Sequence, residues 1–307
     1  MFLNRRISLV FALCFTTLVF VGCKSKFEKL RNSNNITVKY QEAVKLYEKG
    51  KYSKALILFD DLAGKYRGRA EAEDLFYLIA NANYKLRDYT SARFHFKNFA
   101  NTYPNSTRAE ECRYMAAYCY YIESPRSTLD QENTRKAIDE LQLFVNYYPE
   151  SERAEKAGEL IQDLRDKMEK KAFDNAKLYY NMGGPDDYRA AVIALENVLR
   201  QYPDTKYAEE IEFLMLKSQY LFADNSRAYR QEERFNEAID YYNSFSEHFP
   251  SSKFKSDADD LKKSADKKIL AAIRLMNEYN KEVEARNKEL GITEAESEKS
   301  KSTTSNP

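Results

Sequence analysis

The chain has no tryptophan, only two histidines and only eight glycines among its 307 residues. Each scarcity closes a class of function. Without tryptophan there is no indole platform for stacking sugars. The two histidines, His95 and His248, are far apart, and no HExxH metal pair, GxSxG elbow or CxxC pair occurs. The glycines are scattered at turns, so no phosphate-cradling loop can be assembled. Charge of one sign is also missing: 49 basic residues face 48 acidic ones. A nucleic-acid binder or a polybasic membrane-surface protein would be far from that balance. No enzyme is expected, and no cofactor or metal.

Proline is rare too, with seven in all, and four of them recur in one setting. An aromatic, a proline, a spacer and a hydroxyl residue appear as Tyr103-Pro104-Asn105-Ser106, Tyr148-Pro149-Glu150-Ser151, Tyr202-Pro203-Asp204-Thr205 and Phe249-Pro250-Ser251-Ser252. Proline ends a helix because it lacks an N–H and clashes with the preceding turn. The hydroxyl two residues on is then expected to cap the next helix.

Upstream of each proline the spacing of a tetratricopeptide repeat (TPR) returns. Small residues stand at the eighth repeat position (Ala43, Ala80, Ala116, Ala176, Ser218) and at the twentieth (Ala55, Ala92, Ala137, Ala191, Ala238), where two antiparallel helices must approach closely. No single unit buries enough surface alone, so stability is expected from stacking. The fold class is all-α: a right-handed TPR superhelix of about five helical hairpins, closed by a long C-terminal helix.

The expected organisation has repeats at about 37–70, 73–106, 108–151, 168–205 and 210–252, within 37–255. A polar loop is expected from Glu123 to Thr134 and a second insertion from Asp224 to Glu233. The breaker-free run from Ser151 to Met182 predicts one helix of about 45 Å, ending at Gly183-Gly184-Pro185. A charged helix is expected over 256–290, then a disordered tail over 291–307.

The first 22 residues read as a signal peptide. Asn4-Arg5-Arg6 precede an apolar run from Ile7 to Gly22, which is short for a spanning helix. Its end, Phe20-Val21-Gly22-Cys23, resembles a lipoprotein signal, in which Cys23 becomes the first residue and carries an N-acyl diglyceride lipid. Several acyl chains make a stable membrane anchor. Residues 23–36 would be a polar lipidated tether. Loss of Arg5 and Arg6 leaves 47 basic against 48 acidic residues, a net −1. Cys14 leaves with the signal. Cys112 and Cys119, about 10 Å apart along one helix, lie beyond disulfide reach and are read as small core residues.

In a TPR the fifth and twelfth positions of each first helix face the groove. They are Tyr40 and Tyr47, Tyr77 and Tyr84, Arg113 and Tyr120, Phe173 and Tyr180, Met215 and Phe222. Tyr40, Tyr47, Tyr77, Tyr84, Arg113 and Tyr120 are the candidate peptide groove, since stiff aromatic rings with a hydroxyl suit an extended peptide. The same tyrosines also suit packing on the adjacent helix.

Two stretches carry a closer likeness. Ala43 to Phe59 (AVKLYEKGKYSKALILF) and Val198 to Thr205 (VLRQYPDT), set in a lipidated array of five irregular repeats, resemble the BamD family of outer-membrane protein assembly factors. The resemblance implies a subunit of the complex that inserts β-barrels, lipid-anchored in the outer membrane with its body facing the periplasm. Its partners would be the unfolded barrel precursors, the POTRA domains of the central barrel subunit and the other lipoproteins of the complex. N-terminal repeats would hold the precursor's C-terminal strand signal, a segment ending in an aromatic. C-terminal repeats would dock on the POTRA domains, with Arg200, Tyr202 and Asp204 in the implied region. Ala194, on the same helix, offers no charge for a salt bridge. Two other lipoprotein or TPR classes compete. A periplasmic cell-division and envelope coordinator is normally soluble with a trimerising coiled coil, and a SusD-like glycan-binding lipoprotein is longer and tryptophan-rich.

Overall fold

A computed structural model describes residues 26–290. The described residues form twelve helices and no strand. In order they are α1 (Lys26–Arg31), α2 (Ile36–Glu48), α3 (Tyr52–Tyr66), α4 (Ala72–Lys85), α5 (Tyr89–Thr102), α6 (Ala109–Glu123), α7 (Glu132–Tyr147), α8 (Glu152–Met182), α9 (Pro185–Gln201), α10 (Ala208–Asp224), α11 (Ala228–His248) and α12 (Lys255–Glu289). The expected signal peptide, Cys23 and the tail from 291 lie outside the described residues. The chain divides into two compact units, one ending at Arg165 and the other beginning at Asp166.

The all-α hairpin architecture is as the repeat spacing predicts. All ten small residues at the eighth and twentieth positions are no more than 4% exposed. With no bulk beyond Cβ they let paired helices close up, and large residues fill what remains. In the first unit Phe59 and Leu62 of α3 pack with Leu75 and Ile79 of α4, and Phe96 and Phe99 of α5 pack with Cys112 and Cys119 of α6. Phe144 and Leu141 of α7 pack with Leu160 and Leu164 of α8. Each such side chain contributes about 1.5–3 kcal/mol on burial. In the second unit Phe173 of α8, Leu195 and Val198 of α9 and Ile211 of α10 form one cluster. Phe213, Phe235 and Phe245 form another with Ala258 and Ala265 of α12.

The turn inside a hairpin has a definite backbone. After α2, Lys51 N–H donates to Leu46 O at 2.9 Å, and after α4, Asp88 N–H donates to Asn83 O at 3.0 Å. Both are the six-to-one bond of a Schellman motif, which needs a left-handed residue just past the helix. Gly50 supplies it at φ +69°, and Arg87 supplies it at φ +63°. Asp88 then caps α5, its carboxylate accepting from Ser91 N–H at 3.0 Å.

The proline junctions between hairpins are built four times alike, though not as caps of the expected kind. The aromatic ends each helix: Tyr103, Tyr148, Tyr202 and Phe249 donate N–H to the carbonyl four residues back at 2.8–2.9 Å. Their φ values of −122° to −134° and ψ values of 61° to 75° lie outside the α region, which a following proline disfavours. The hydroxyl residue returns its own N–H to the aromatic's carbonyl at 3.0–3.1 Å. Its side chain then accepts the N–H two residues on, as in Arg108 to Ser106 at 3.1 Å and Phe254 to Ser252 at 3.0 Å. In three junctions the helix starts three residues beyond the hydroxyl, so the side chain holds a turn that leads into the helix. Only Ser151 stands immediately before its helix, bonding Arg153 N–H at 3.0 Å.

One further expectation is corrected. The supposed polar tether contains α1, whose Phe27 and Leu30 pack on the first core. Lys39 of α2, only 2% exposed, holds it by donating to Arg31 O at 2.7 Å and pairing with Asp61 of α3. The alternation of charge in KFEKLR hid an i, i+3 apolar pair. The second insertion is largely helix, because α10 runs to Asp224 and α11 begins at Ala228. The loop between α6 and α7 is ordered by a buried amide: Gln131 Nε2 donates to the carbonyls of Arg126 and Leu129 at 2.8 and 2.9 Å.

Candidate functional site

The tyrosines of the candidate groove are half-buried and largely engaged by neighbouring helices. Tyr40 stacks on Tyr66 with centroids 5.3 Å apart, and Tyr47 meets the ring of Tyr52 edge-on at 5.2 Å. Tyr84 meets Tyr89 at 5.7 Å and Phe96 at 6.5 Å. Tyr77 lies edge-on to Phe99 at 6.0 Å, with the Arg108 guanidinium 4.5 Å from its centroid. Tyr120 carries Arg93 at 3.9 Å over its face, and Arg93 is fixed by Glu123 at 2.6 Å. A cation over a tyrosine contributes about 0.5–2 kcal/mol. These rings bind helix to helix.

Arg113 is not brought together with them. It lies 4.9 Å from the Tyr147 centroid in a cleft between α5 and α7, floored by Ala116 and Phe144 and lined by none of the five tyrosines.

A second cleft, of about 560 Å³, opens between α3 and α5, and the sequence reading did not single it out. Phe76, Phe99 and Tyr103 form its floor, while Phe94 stands 60% exposed at its side. Arg67 and Asn98 provide polar groups at the mouth, and Arg67 makes no ion pair among the described residues. The signal is present in Phe94-His95-Phe96: Ala92, Phe96 and Phe99 complete the buried stripe of α5, so Phe94 faces outward, its ring meeting only that of His95 edge-on at 5.3 Å among the described aromatic rings. His95, half-buried beside it, has its pKa pushed down by burial, although the neighbouring carboxylate of Asp60 opposes the shift. Partial desolvation also raises the Asp60 carboxyl, although that residue remains exposed to solvent.

In the second unit Arg200 and Asp204 are exposed on either side of the proline junction, while Tyr202 is half-buried at the edge of the cluster holding Leu195 and Val198. Ala194 packs on the same cluster. A more strongly charged surface lies at the other end of α9. There Arg189, Arg227 and Arg230 gather with the 60% exposed Tyr229 around the turn between α10 and α11. Beside them Arg234 lies 4.0 Å over the ring of Phe222, the twelfth-position aromatic of its hairpin.

Cys112 and Cys119 are free and buried, and burial pushes both thiols up to about 12. Among the described residues no His/Cys/Asp/Glu cluster has the arrangement of a metal site, and no helix is long and apolar enough to cross a membrane.

Known proteins place the chain. A family model described as "YfiO: Outer membrane lipoprotein" matches residues 33–222 and again 178–284. The outer membrane protein assembly factor BamD of Haemophilus influenzae is 24% identical over 225 residues, covering 69% of this chain and 82% of its own length. That of Rickettsia prowazekii is 24% identical over 252 residues, covering 81% and 94%. The putative assembly factor BamD of Aquifex aeolicus is 25% identical over 240 residues, covering 78% and 76%. Among solved structures, a Podosopora anserina putative kinesin light chain with TPR-like repeats covers 71% of this chain and 97% of its own at 14% identity, with a TM-score of 0.28, too low for any inference. The match of the family model to most of the described residues, on helices paired as TPR hairpins, assigns the chain to the YfiO outer membrane lipoproteins, the BamD family.

Proposed function

We propose that this chain is a non-catalytic outer-membrane protein assembly factor, lipid-anchored through Cys23, that holds unfolded β-barrel precursors and docks on the POTRA-bearing central subunit. Membership of the BamD family is the observation that carries this reading. The body would face the periplasm and share the complex with other lipoproteins.

The N-terminal hairpins offer two aromatic surfaces for a precursor segment ending in an aromatic residue. Tyr40, Tyr47, Tyr77, Tyr84 and Tyr120 form the first, but their rings already pack on neighbouring residues and the Tyr77 hydroxyl is taken by Glu111. The α3–α5 cleft supports the reading better. Its rings could receive one aromatic side chain, and Arg67 at its mouth, without an ion pair among the described residues, suits a terminal carboxylate. Docking on the partner would use exposed cations of the second unit, Arg200 beside Tyr202 and Asp204, together with Arg189, Arg227 and Arg230. Arginine and tyrosine are both enriched among the few residues that carry most of the binding energy at protein interfaces.

Labelled peptides from barrel C-termini, titrated by fluorescence anisotropy, test the first half. Phe94→Ala with Arg67→Gln should weaken binding roughly tenfold, the scale of one lost aromatic contact. Tyr47, Tyr84 and Tyr120 changed together to alanine should have the smaller effect. Unchanged affinity in both variants, with the helical spectrum intact, would remove the precursor-binding reading. Co-purification of a POTRA-bearing barrel from solubilised membranes tests the second half.

A further inference from the structure

A cleft of about 520 Å³ lies where α1 crosses α2 and the start of α3. Its floor is apolar: Phe27 and Leu30 of α1 face Leu46 and the 44% exposed Val38 of α2. Around it stand Lys26, Lys29, Lys51 and Lys54, all exposed. None of the four makes an ion pair among the described residues, and Lys54 touches only the Phe27 ring, at 5.6 Å. The carboxylate in the lining, Glu42, is taken by Lys45 at 2.7 Å. Lys97 and Lys136, by contrast, are paired with Glu140 and Glu132. At this cleft four ammonium groups without an ion pair ring one apolar floor. They have the two-part chemistry of a phospholipid, an anionic headgroup joined to acyl carbon.

Position fits the same ligand. Lys26 is three residues beyond Cys23, and an extended chain spans at most about 3.5 Å per residue. The rim then lies within roughly 10 Å of a lipid carried on that cysteine. Lys39, by tying α1 to α2 and α3, keeps the cleft a fixed part of the body.

We propose that this cleft seats an anionic phospholipid of the membrane, its phosphate among the four lysines and its first acyl carbons on Phe27, Leu30 and Leu46. The inference rests on the lipid anchor at Cys23 put forward above. The seat orients the first hairpin against the bilayer, which acylation alone leaves free to rotate. A lysine at an anionic surface strengthens association by roughly fivefold.

Lysine footprinting of the full chain decides the matter. Protein purified from membranes is placed in nanodiscs of phosphatidylcholine, with or without phosphatidylglycerol, and labelled with an amine-selective reagent. Lys26, Lys29, Lys51 and Lys54 should lose reactivity several-fold when phosphatidylglycerol is present, while Lys97 and Lys136 do not change. In Lys51→Gln with Lys54→Gln, protection of Lys26 and Lys29 should fall. Equal labelling in the two discs overturns the proposal. So does protection by inorganic phosphate alone in phosphatidylcholine discs, which would mark a free-anion site. Intact mass reads the anchor separately: an acylated chain with equal labelling sinks the seat only, and an unacylated chain sinks both.

Discussion

Tyr77 on α4 donates its hydroxyl to the carboxylate of Glu111 on α6 at 3.0 Å, joining first helices of successive hairpins. The bond spans 34 residues, and others bridge similar intervals: Arg108 to Asp74 at 2.5 Å, Thr90 to Glu123 at 3.1 Å and Lys177 to Glu210 at 2.5 Å. Side-chain bonds thus follow the repeat as the cores do. Burial first, and Glu111 second, push the Tyr77 pKa up to about 12. The folded chain therefore resists losing that proton more than the unfolded chain does. Its stabilising contribution is whole below about pH 10 and fades as pH rises towards 12. Tyr77→Phe should cost about 1 kcal/mol in urea unfolding at neutral pH and lessen the alkaline loss of stability.

Arg87 occupies the left-handed site that Gly50 fills one hairpin earlier. A side chain there costs about 1–2 kcal/mol, part of which glycine gives back through the entropy of the unfolded chain. Arg87→Gly should raise stability by about 0.5–1 kcal/mol, read as a higher urea midpoint with an unchanged slope. Gly50→Arg should lower it by a similar amount.

Ser218 stands where the other hairpins have alanine, fully buried, and its hydroxyl has no hydrogen-bond partner among the described residues. An unsatisfied buried polar group costs about 1–3 kcal/mol. Ser218→Ala should stabilise the second unit by about 1 kcal/mol in thermal unfolding. A loss of stability there would mean that the hydroxyl has a partner in solution.

Lys39→Ala should destabilise by about 2–3 kcal/mol, below the range for fully buried pairs because Asp61 is 41% exposed and screened by water. The Lys39 ammonium, above all, holds the Asp61 carboxyl below its usual range. That part of the stability is present above about pH 4 and lost as pH falls through the lowered value. Hydrogen exchange should show α1 released in the variant.

The two histidines should titrate on opposite sides of the ordinary value near pH 6.5. His95 is held low by burial, so stability falls as acid protonates it more readily in the unfolded chain. His248, exposed, is held high by its bond to Glu212 at 2.9 Å, and that contribution fades as pH rises past the raised value. Proton NMR of the two imidazoles checks both directions. A common midpoint would contradict the packing of His95.

The helical hairpins were legible because small residues at two fixed positions and proline at a third leave little alternative packing. The buried set at those positions matches residue for residue. Less legible was whatever depended on three-dimensional neighbours. KFEKLR looks solvated because its two apolar residues find their partners in a core that later helices supply. Arg113 and Tyr120 share a repeat pattern yet serve different neighbours, since a residue's place in the period fixes its helix face without fixing what lies opposite. The α3–α5 cleft is hard to read in the sequence because it is made mostly of second-helix residues, and its clue is a single outward phenylalanine.

Cys112 and Cys119 lie fully covered on α6, with both thiols raised far above neutrality. A thiol without its thiolate neither attacks a disulfide nor yields readily to peroxide. Once the chain is folded, these two thiols should be indifferent to redox surroundings: no oxidase would trap them, and no reductant would loosen the packing around them.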